Sequence, residues 1–225
     1  MAGGGPFEAL PGGIPRPIEF MTAALGLVLS APVMAVAGLV IRSSSRGPVF
    51  FRQERVGREG KSFVLYKLRT MREASNGPLV TARGDDRITP VGRILRRTKL
   101  DELPQLWNVV RGDMSLVGPR PEVSRYVNVE DPLWMETLRV RPGITDPVTL
   151  KLRDEESVLA EVAGDRERFY REELQPAKLR GYVAYARSRS WLTDIEVLYR
   201  TVLAVLLPGA PAKTTPDTSG NLGSR

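Results

Sequence analysis

An uncharged apolar segment near the start of the chain constrains the fold most. It covers residues 20–41, which is 22 residues without an acidic or basic side chain. A straight helix of that length would reach roughly 33 Å, enough to cross a hydrocarbon core of about 30 Å. The residues around its start include Glu8 and Glu19 against Arg16, and this charge balance argues against a secretory signal. We therefore expect a membrane-embedded helix.

The middle of this segment contains a helix breaker. Pro32 has no amide hydrogen, so the carbonyl of Val28 loses its partner, and Ser30 can satisfy a freed carbonyl with its hydroxyl. Two topologies follow from these residues alone. One is a single span kinked at Pro32, which membrane helices tolerate, and the other is a re-entrant hairpin that returns to the face it entered from. The arginines that follow the segment predict that the next part of the chain lies in the cytoplasm.

The rest of the chain is basic and lacks two chemically versatile residue types. It contains no His and no Cys, which excludes Ser-His-Asp and Cys-His catalysis, disulfides and imidazole zinc sites. The formal charge is +7, and residues 42–100 alone contain 15 basic and 5 acidic side chains. This local excess of positive charge predicts an anionic partner, which could be a phosphorylated substrate, lipid headgroups or nucleic acid.

Periodicity and turn signals predict an α+β chain that is mainly helical. Residues 1–17 are expected to form a flexible leader and residues 208–225 a disordered tail. We expect a β-hairpin within residues 48–71 that turns near 57–60, and a Gly/Pro turn at 115–121. Helices are predicted at 90–97, 103–110, 155–164, 166–187 with an interruption near Pro176, and 191–207.

The last of these helices has a broad apolar stripe. Asp194, Glu196 and Arg200 are expected on the opposite, polar face. Such a stripe could form core, lie flat on a membrane surface, or pair with a second copy of the chain.

Two short motifs contain candidate catalytic residues. Lys67 and Arg69 are two residues apart in a predicted strand, so both cations share one face and would flank an anion such as phosphate. The segment 98–104 places Asp101 and Glu102 at the start of a helix, because the proline that ends it fits only a first helical turn. There the helix dipole keeps a carboxylate ionised. An ionised Asp101 could ligate a metal, act as a nucleophile or simply cap the helix.

A third motif, at residues 118–121, is a stiff turn. Arg120 lies between Pro119 and Pro121, and a residue before proline favours an extended backbone, so its side chain projects at low entropic cost. The motif is either a surface turn or a turn that presents Arg120 to a substrate.

Taken together, these segments resemble the monotopic phosphoglycosyl transferases, which are bacterial sugar transferases. The resemblance runs from Arg16 to about residue 207 and is carried by five blocks in order: GPVFFRQERVG at 47–57, YKLRTM at 66–71, LDELPQLWNV at 100–109, GDMSLVGPRP at 112–121 and RPGIT at 141–145. It implies transfer of a sugar 1-phosphate from a UDP-sugar to undecaprenyl phosphate or another polyprenol phosphate, with release of UMP. It implies no nucleic-acid partner.

The resemblance also implies roles at the acidic pair. Asp101 corresponds to the family nucleophile, which forms a covalent phosphosugar–aspartyl intermediate. Glu102 corresponds to its acidic partner, which assists proton transfer or orients the nucleophile. Mg²⁺ is the expected cofactor, held by Asp101 and the substrate diphosphate.

Four cations are expected to contact substrate phosphates. Three correspond to family positions, and Arg69 is added from strand geometry alone; the set is Lys67, Arg69, Arg96 and Arg120. Pro119 and Pro121 form the substrate-binding turn around the last of them.

The resemblance favours one of the two membrane topologies. Ser30 and Pro32 correspond to the family's helix-breaking pair, so residues 18–42 are expected to form a re-entrant membrane helix hairpin. Residues 43–207 then form a small catalytic domain, with amphipathic interfacial helices, on the cytoplasmic face of the bacterial inner membrane. A homodimer is a further expectation. The chain departs from the family pattern at Ala31, at Glu19 and at Asp146.

Overall fold

The computed structural model describes residues 10, 12–72, 81–82, 84–152 and 155–206. The predictions for residues 1–9, 11 and 208–225 lie outside the described residues. Over the described part, the fold is α+β and mainly helical, as predicted. The elements in chain order are α1 (Arg16–Ser44), β1 (Phe50–Val56), β2 (Ser62–Leu68), α2 (Pro90–Arg97), α3 (Gln105–Arg111), β3 (Ser115–Val117), α4 (Pro132–Thr137), β4 (Gly143–Thr145), α5 (Pro147–Lys151), α6 (Glu155–Glu161), α7 (Arg166–Phe169), α8 (Gln175–Ser188) and α9 (Trp191–Leu206).

The predicted β-hairpin is confirmed. Strands β1 and β2 pair antiparallel, with Phe50 opposite Leu68 and Val56 opposite Ser62. The turn contains two consecutive left-handed residues, Glu59 at φ 58° and Gly60 at φ 74°. Gly60 adopts its left-handed conformation without strain because glycine has no side chain, and this explains why the chain reverses at this point.

A second, parallel pair of strands was not predicted. Ser115 of β3 pairs with Gly143 of β4, and Val117 pairs with Thr145. The predicted turn at 115–121 is therefore wrong for its first three residues, because a strand of three buried residues is too short to show alternation. A β-carbon at Gly143 would collide with the backbone of Gly118, so the two segments approach this closely only without side chains there.

The predicted interruption near Pro176 is a widened helix rather than a break. Residues Tyr170–Leu174 are wound as a π-helix between α7 and α8. Pro176 lies in the first turn of α8, immediately after this wide turn. The helical path continues because a π-turn changes the hydrogen-bond spacing just where the proline removes a donor.

Both ends of α1 are attached to the rest of the domain. Near its start, the Glu19 carboxylate accepts from the Leu116 amide at 3.1 Å, and the Arg16 guanidinium donates to the carbonyl of Met114 at 3.1 Å. Near its end, Ala37 and Ile41 are buried in a cluster with β2 and α2. The same domain therefore holds the helix at both ends.

The middle of α1 is exposed and apolar. Val28, Leu29, Val33 and Val36 are all exposed. Over the described residues, α1 is the one helix long and apolar enough to cross a membrane, as judged by length and composition. The helix continues through Pro32, and the Ser30 hydroxyl donates to the carbonyl of Leu27 at 3.3 Å rather than to that of Val28. The hairpin topology stays a prediction.

Helix α9 combines a buried polar residue with an exposed apolar side. Asp194 is fully buried, which contradicts its expected place on a polar face. Its carboxylate accepts from the Tyr185 hydroxyl at 2.6 Å, from the Ile14 amide at 3.0 Å and from Arg189 at 3.2 Å. The helix thus fixes the chain just before α1. Its apolar stripe is largely exposed and comprises Trp191, Leu192, Ile195, Tyr199, Val202 and Leu203.

Candidate active site

The acidic pair lies in a tight turn between α2 and α3. Lys99, two residues beyond the end of α2, is in the left-handed conformation, at φ 58° and ψ 14°, and this reverses the chain. Leu100–Glu102 then forms a 3₁₀ turn, in which the Glu102 amide donates to the Lys99 carbonyl at 3.2 Å. Pro104 is the residue that precedes α3, so the pair lies in the 3₁₀ turn that leads into this helix rather than in its first turn.

Asp101 does not cap this helix. Its side chain is 5% exposed, and its Oδ1 atom is buried with no hydrogen-bond partner among the described residues. In the part of the chain that the structure describes, no side chain caps the start of α3. The structural explanation for an aspartate at this position is therefore absent, and a chemical role becomes the better explanation.

Glu102 brings together two of the predicted cations. Its Oε1 atom accepts from the Lys67 ammonium at 3.1 Å and from the Arg120 guanidinium at 2.9 Å. Lys67 comes from β2 and Arg120 from the turn after β3. Two segments distant in the sequence thus converge on one carboxylate, which is next to Asp101.

Burial and charge act in opposite directions on the two acids. Burial raises the pKa of Asp101, although Lys67 and Lys99 oppose this. Asp101 was expected to stay ionised at a helix start, and the effect of burial corrects this expectation. Burial would also raise the pKa of Glu102, but Lys67 and Arg120 outweigh it and hold that pKa well below its usual range. The pair therefore contains one firmly ionised carboxylate and one whose charge is costly to bury.

The cations respond to the same surroundings. Burial lowers the pKa of Lys67, although Glu102 opposes the effect. The charge of Glu102 raises the pKa of Arg120, which therefore stays cationic. Arg120 supplies a permanent positive charge beside the acidic pair.

Backbone contacts fix the turn that carries Arg120. The Pro119 carbonyl accepts from the Gly143 amide at 3.0 Å, and the Gly118 amide donates to the Thr145 carbonyl at 3.0 Å. The Pro121 carbonyl accepts from Arg55 at 3.0 Å. The parallel strand pair therefore positions the turn that the sequence analysis expected from its two prolines.

The structure does not bring the other two predicted cations to Glu102. Arg69 is buried, and its guanidinium donates to the carbonyls of Ser45 and Arg46, each at 2.8 Å, so it holds the chain that leaves α1. We expected Arg69 to contact a substrate phosphate. Its guanidinium instead contacts backbone carbonyls. Arg96 pairs with Glu156 of α6, although its charge still reaches Asp101 and opposes the rise of that pKa.

A buried polar cluster behind Arg120 escaped the sequence analysis. Glu122 accepts from the Tyr170 hydroxyl and lies 3.6 Å from Arg55. Lys178 pairs with Glu155 at 3.1 Å and donates to the Tyr170 hydroxyl at 3.2 Å. These residues come from segments far apart in the sequence, so no spacing could have indicated them. The cluster supports the Arg120 turn through Arg55.

The donor set fits Mg²⁺ only with help from a substrate. In the described segments, no group of three or more Asp and Glu side chains could hold a metal ion. Mg²⁺, however, commonly binds one or two carboxylates and completes its shell with water and substrate phosphates. The unpartnered Oδ1 atom of Asp101 is a suitable single ligand for such a site.

Comparison with known proteins gives a consistent result. The model of a family described as bacterial sugar transferase matches residues 12–208. The chain is 40% identical to a UDP-glucose:undecaprenyl-phosphate glucose-1-phosphate transferase of Caulobacter vibrioides over 196 residues, which are 85% of this chain and 69% of that protein. It is 31% identical to the exopolysaccharide production protein ExoY of Rhizobium meliloti, over 85% of each chain.

A third relative has a different sugar in its name. The chain is 41% identical to a UDP-N-acetylgalactosamine-undecaprenyl-phosphate N-acetylgalactosaminephosphotransferase of Aeromonas hydrophila. This similarity covers 59% of the chain but 32% of the relative.

Proposed function

Because the chain belongs to the bacterial sugar transferase family, we propose that it transfers a sugar 1-phosphate from a UDP-sugar to a polyprenol phosphate such as undecaprenyl phosphate. The names of its relatives support both substrates. The single observation that carries the mechanism is the buried, unpartnered carboxylate oxygen of Asp101 within a cluster of cations.

The reaction proceeds in two transfers. In the first, a carboxylate oxygen of Asp101 attacks the β-phosphorus of the UDP-sugar. The bond from that phosphorus to the bridging oxygen breaks, and UMP leaves with the electron pair. In the second, an oxygen of the polyprenol phosphate attacks the phosphorus of the phosphosugar–aspartyl adduct. The bond to Asp101 breaks, which restores the carboxylate and yields the polyprenyl diphosphosugar.

The neighbouring residues stabilise charge during both transfers. Lys67 and Arg120 are positioned by their shared contact with Glu102, so their positive charges are in place before substrate binds. Glu102 acts as an orienting group for these cations. When bound at Asp101, Mg²⁺ would supply charge neutralisation for the diphosphate.

Intact-mass measurement tests this mechanism. Incubation of purified protein with Mg²⁺ and a panel of UDP-sugars, without acceptor, is expected to add the mass of one sugar phosphate and to release UMP. Asp101→Asn should abolish the adduct, whereas Asp86→Asn, a matched change at an exposed aspartate, should leave it intact. An Asp101→Asn variant that still forms the adduct would falsify the assignment of the nucleophile.

We also propose that α1 is re-entrant and that the domain lies on the cytoplasmic side of the bacterial inner membrane. Support comes from the attachment of both helix ends to one small domain, which a helix crossing the bilayer away from it could not make. The exposed stripe of α9 would then rest at the interface, beside the same membrane face.

The absence of native cysteine makes this topology easy to test. Single cysteines at Pro17 and Ser43, both exposed near opposite ends of α1, should react with a membrane-impermeant maleimide from the same side of inverted vesicles. Labelling from opposite sides would show a spanning helix. Cross-linking between single cysteines at Tyr199 in two copies would test the predicted homodimer.

A further inference from the structure

One face of the turn and helix that follow Lys99 points at β2. The backbone stays right-handed helical through Leu103 and Pro104 into α3. Gln105 and Asn108, spaced by three residues in α3, share one face of that helix, and Asp101 lies four residues before Gln105, in the turn that leads into it. Asn108 anchors the face to the strand, since its amide donates to the Val64 carbonyl at 2.7 Å and its oxygen accepts from the amide of Tyr66 at 3.2 Å.

Gln105 lies between this anchor and the nucleophile. Its side chain is 2% exposed, and its Nε2 atom is buried without a hydrogen-bond partner among the described residues. The Oδ1 atom of Asp101, four residues earlier in the chain, is also buried without a hydrogen-bond partner among the described residues. Buried polar atoms nearly always have a partner, so an open donor and an open acceptor four residues apart point to a ligand that pairs with both.

A phosphoryl group satisfies both atoms at once. Its phosphorus accepts the carboxylate oxygen as nucleophile, and its non-bridging oxygens accept a hydrogen bond from the amide. A cation would satisfy only the Asp101 oxygen, because an amide NH₂ group donates hydrogen bonds and does not ligate metal. If Gln105 served only to orient Asp101, the two side chains would be hydrogen-bonded to one another in the substrate-free protein, and they are not.

We propose that Gln105 is a catalytic residue whose side-chain amide donates a hydrogen bond to a non-bridging oxygen of the phosphoryl group as that group moves to and from Asp101. The inference rests on the proposed function. The amide keeps its protons throughout, and the bonds made and broken are those of the two transfers. Gln105 would thus act as an oxyanion donor for the pentavalent phosphorus, in a place from which water is excluded.

Two identical substitutions at buried glutamines test this role. Gln105→Met removes an amide nitrogen that has no partner among the described residues, whereas Gln175→Met removes an amide that donates to the Tyr126 carbonyl at 3.0 Å. Gln105→Met is expected to slow formation of the Asp101 adduct about 100-fold in a single turnover, with little change in the KM for the UDP-sugar. Its melting temperature should stay at or above that of the wild type, because no hydrogen bond is lost. Gln175→Met should lose thermal stability and keep the rate of adduct formation.

The outcomes separate the alternatives. A Gln105→Met variant that forms the adduct at the wild-type rate overturns the inference. A loss of thermal stability in Gln105→Met as large as that in Gln175→Met would also overturn the inference. Such a loss would mean that an ordered water pairs with the Gln105 amide and that the role of this amide is structural. Gln105→Glu, which replaces the donor with a second carboxylate, should be slower than Gln105→Met. A wild-type protein that forms no adduct with any UDP-sugar would instead refute the proposed function itself.

Discussion

Replacing Glu102 by glutamine tests whether this carboxylate holds the site together. The substitution keeps the shape of the side chain and removes its charge. In the wild type, Oε1 accepts from Lys67 at 3.1 Å and from Arg120 at 2.9 Å, with all three side chains largely shielded from solvent. In Glu102→Gln both donors stay cationic and only the acceptor loses its charge, so we expect each bond to lose about 1 kcal/mol of the about 1.5–3 kcal/mol that a hydrogen bond to a charged group contributes. Two bonds weakened in this way amount to about 2 kcal/mol.

The loss should be visible as a lower melting temperature. For a protein of this size, 1 kcal/mol corresponds to about 2–4 °C, so Glu102→Gln should unfold about 4–8 °C below the wild type. Tryptophan fluorescence in lipid nanodiscs is a suitable readout, since the chain has 3 tryptophans. The KM for the UDP-sugar should also rise, because Lys67 and Arg120 lose the anion that orients them.

A matched change at the surface provides the control. Glu172 pairs with Arg168 at 3.0 Å, and both side chains are more than half exposed. Glu172→Gln should cost less than about 0.5 kcal/mol, and 1 M salt should remove even that difference. If Glu102→Gln melts within 1 °C of Glu172→Gln, the carboxylate does not hold the two cations and the reasoning fails.

Three further substitutions have expected effects on stability, each measured by the same thermal unfolding. Asp101→Asn should leave the free energy of unfolding unchanged or raise it by about 1 kcal/mol, because a neutral amide is cheaper to bury than a carboxylate with an open oxygen; a marked loss would indicate a hidden partner. Lys99→Gly should raise the free energy of unfolding by up to about 1 kcal/mol, because glycine adopts the left-handed backbone of this position without strain. Lys99→Ala should not raise it, and equal values for the two variants would argue against strain at this position. Arg69→Met should lower it by about 3 kcal/mol, since the carbonyls of Ser45 and Arg46 lose their donors; wild-type stability would mean that Arg69 is free to serve a substrate.

Local signals in the sequence were sufficient for the parts of the fold made by neighbouring residues. The hairpin follows from apolar runs on either side of Gly57 and Gly60, and the helix start at the acidic pair follows from Pro104. The stretch from Asp101 to Glu102 could be placed without any tertiary information, because proline restricts the backbone on its own. Such features depend on residues a few positions apart.

The partners of side chains could not be obtained in this way. Alternation along a strand predicted that Lys67 and Arg69 lie together, yet Lys67 contacts Glu102 and Arg69 contacts Ser45. Spacing along a strand gives the face on which a side chain lies, but the acceptors available there come from distant segments. The same limit hid Asp194, whose partners are brought to it by packing.

The attachment of α1 at both ends has a mechanical consequence. Glu19 and Arg16 tie its beginning to the segment that leads into the Arg120 turn, and Arg69 grips the chain just beyond its end. Because contacts hold both ends, we expect the helix and the domain to move as one rigid body. In the membrane position proposed above, a thinner or thicker bilayer would tilt α1, and we expect this tilt also to lift or lower Asp101 relative to the lipid headgroups.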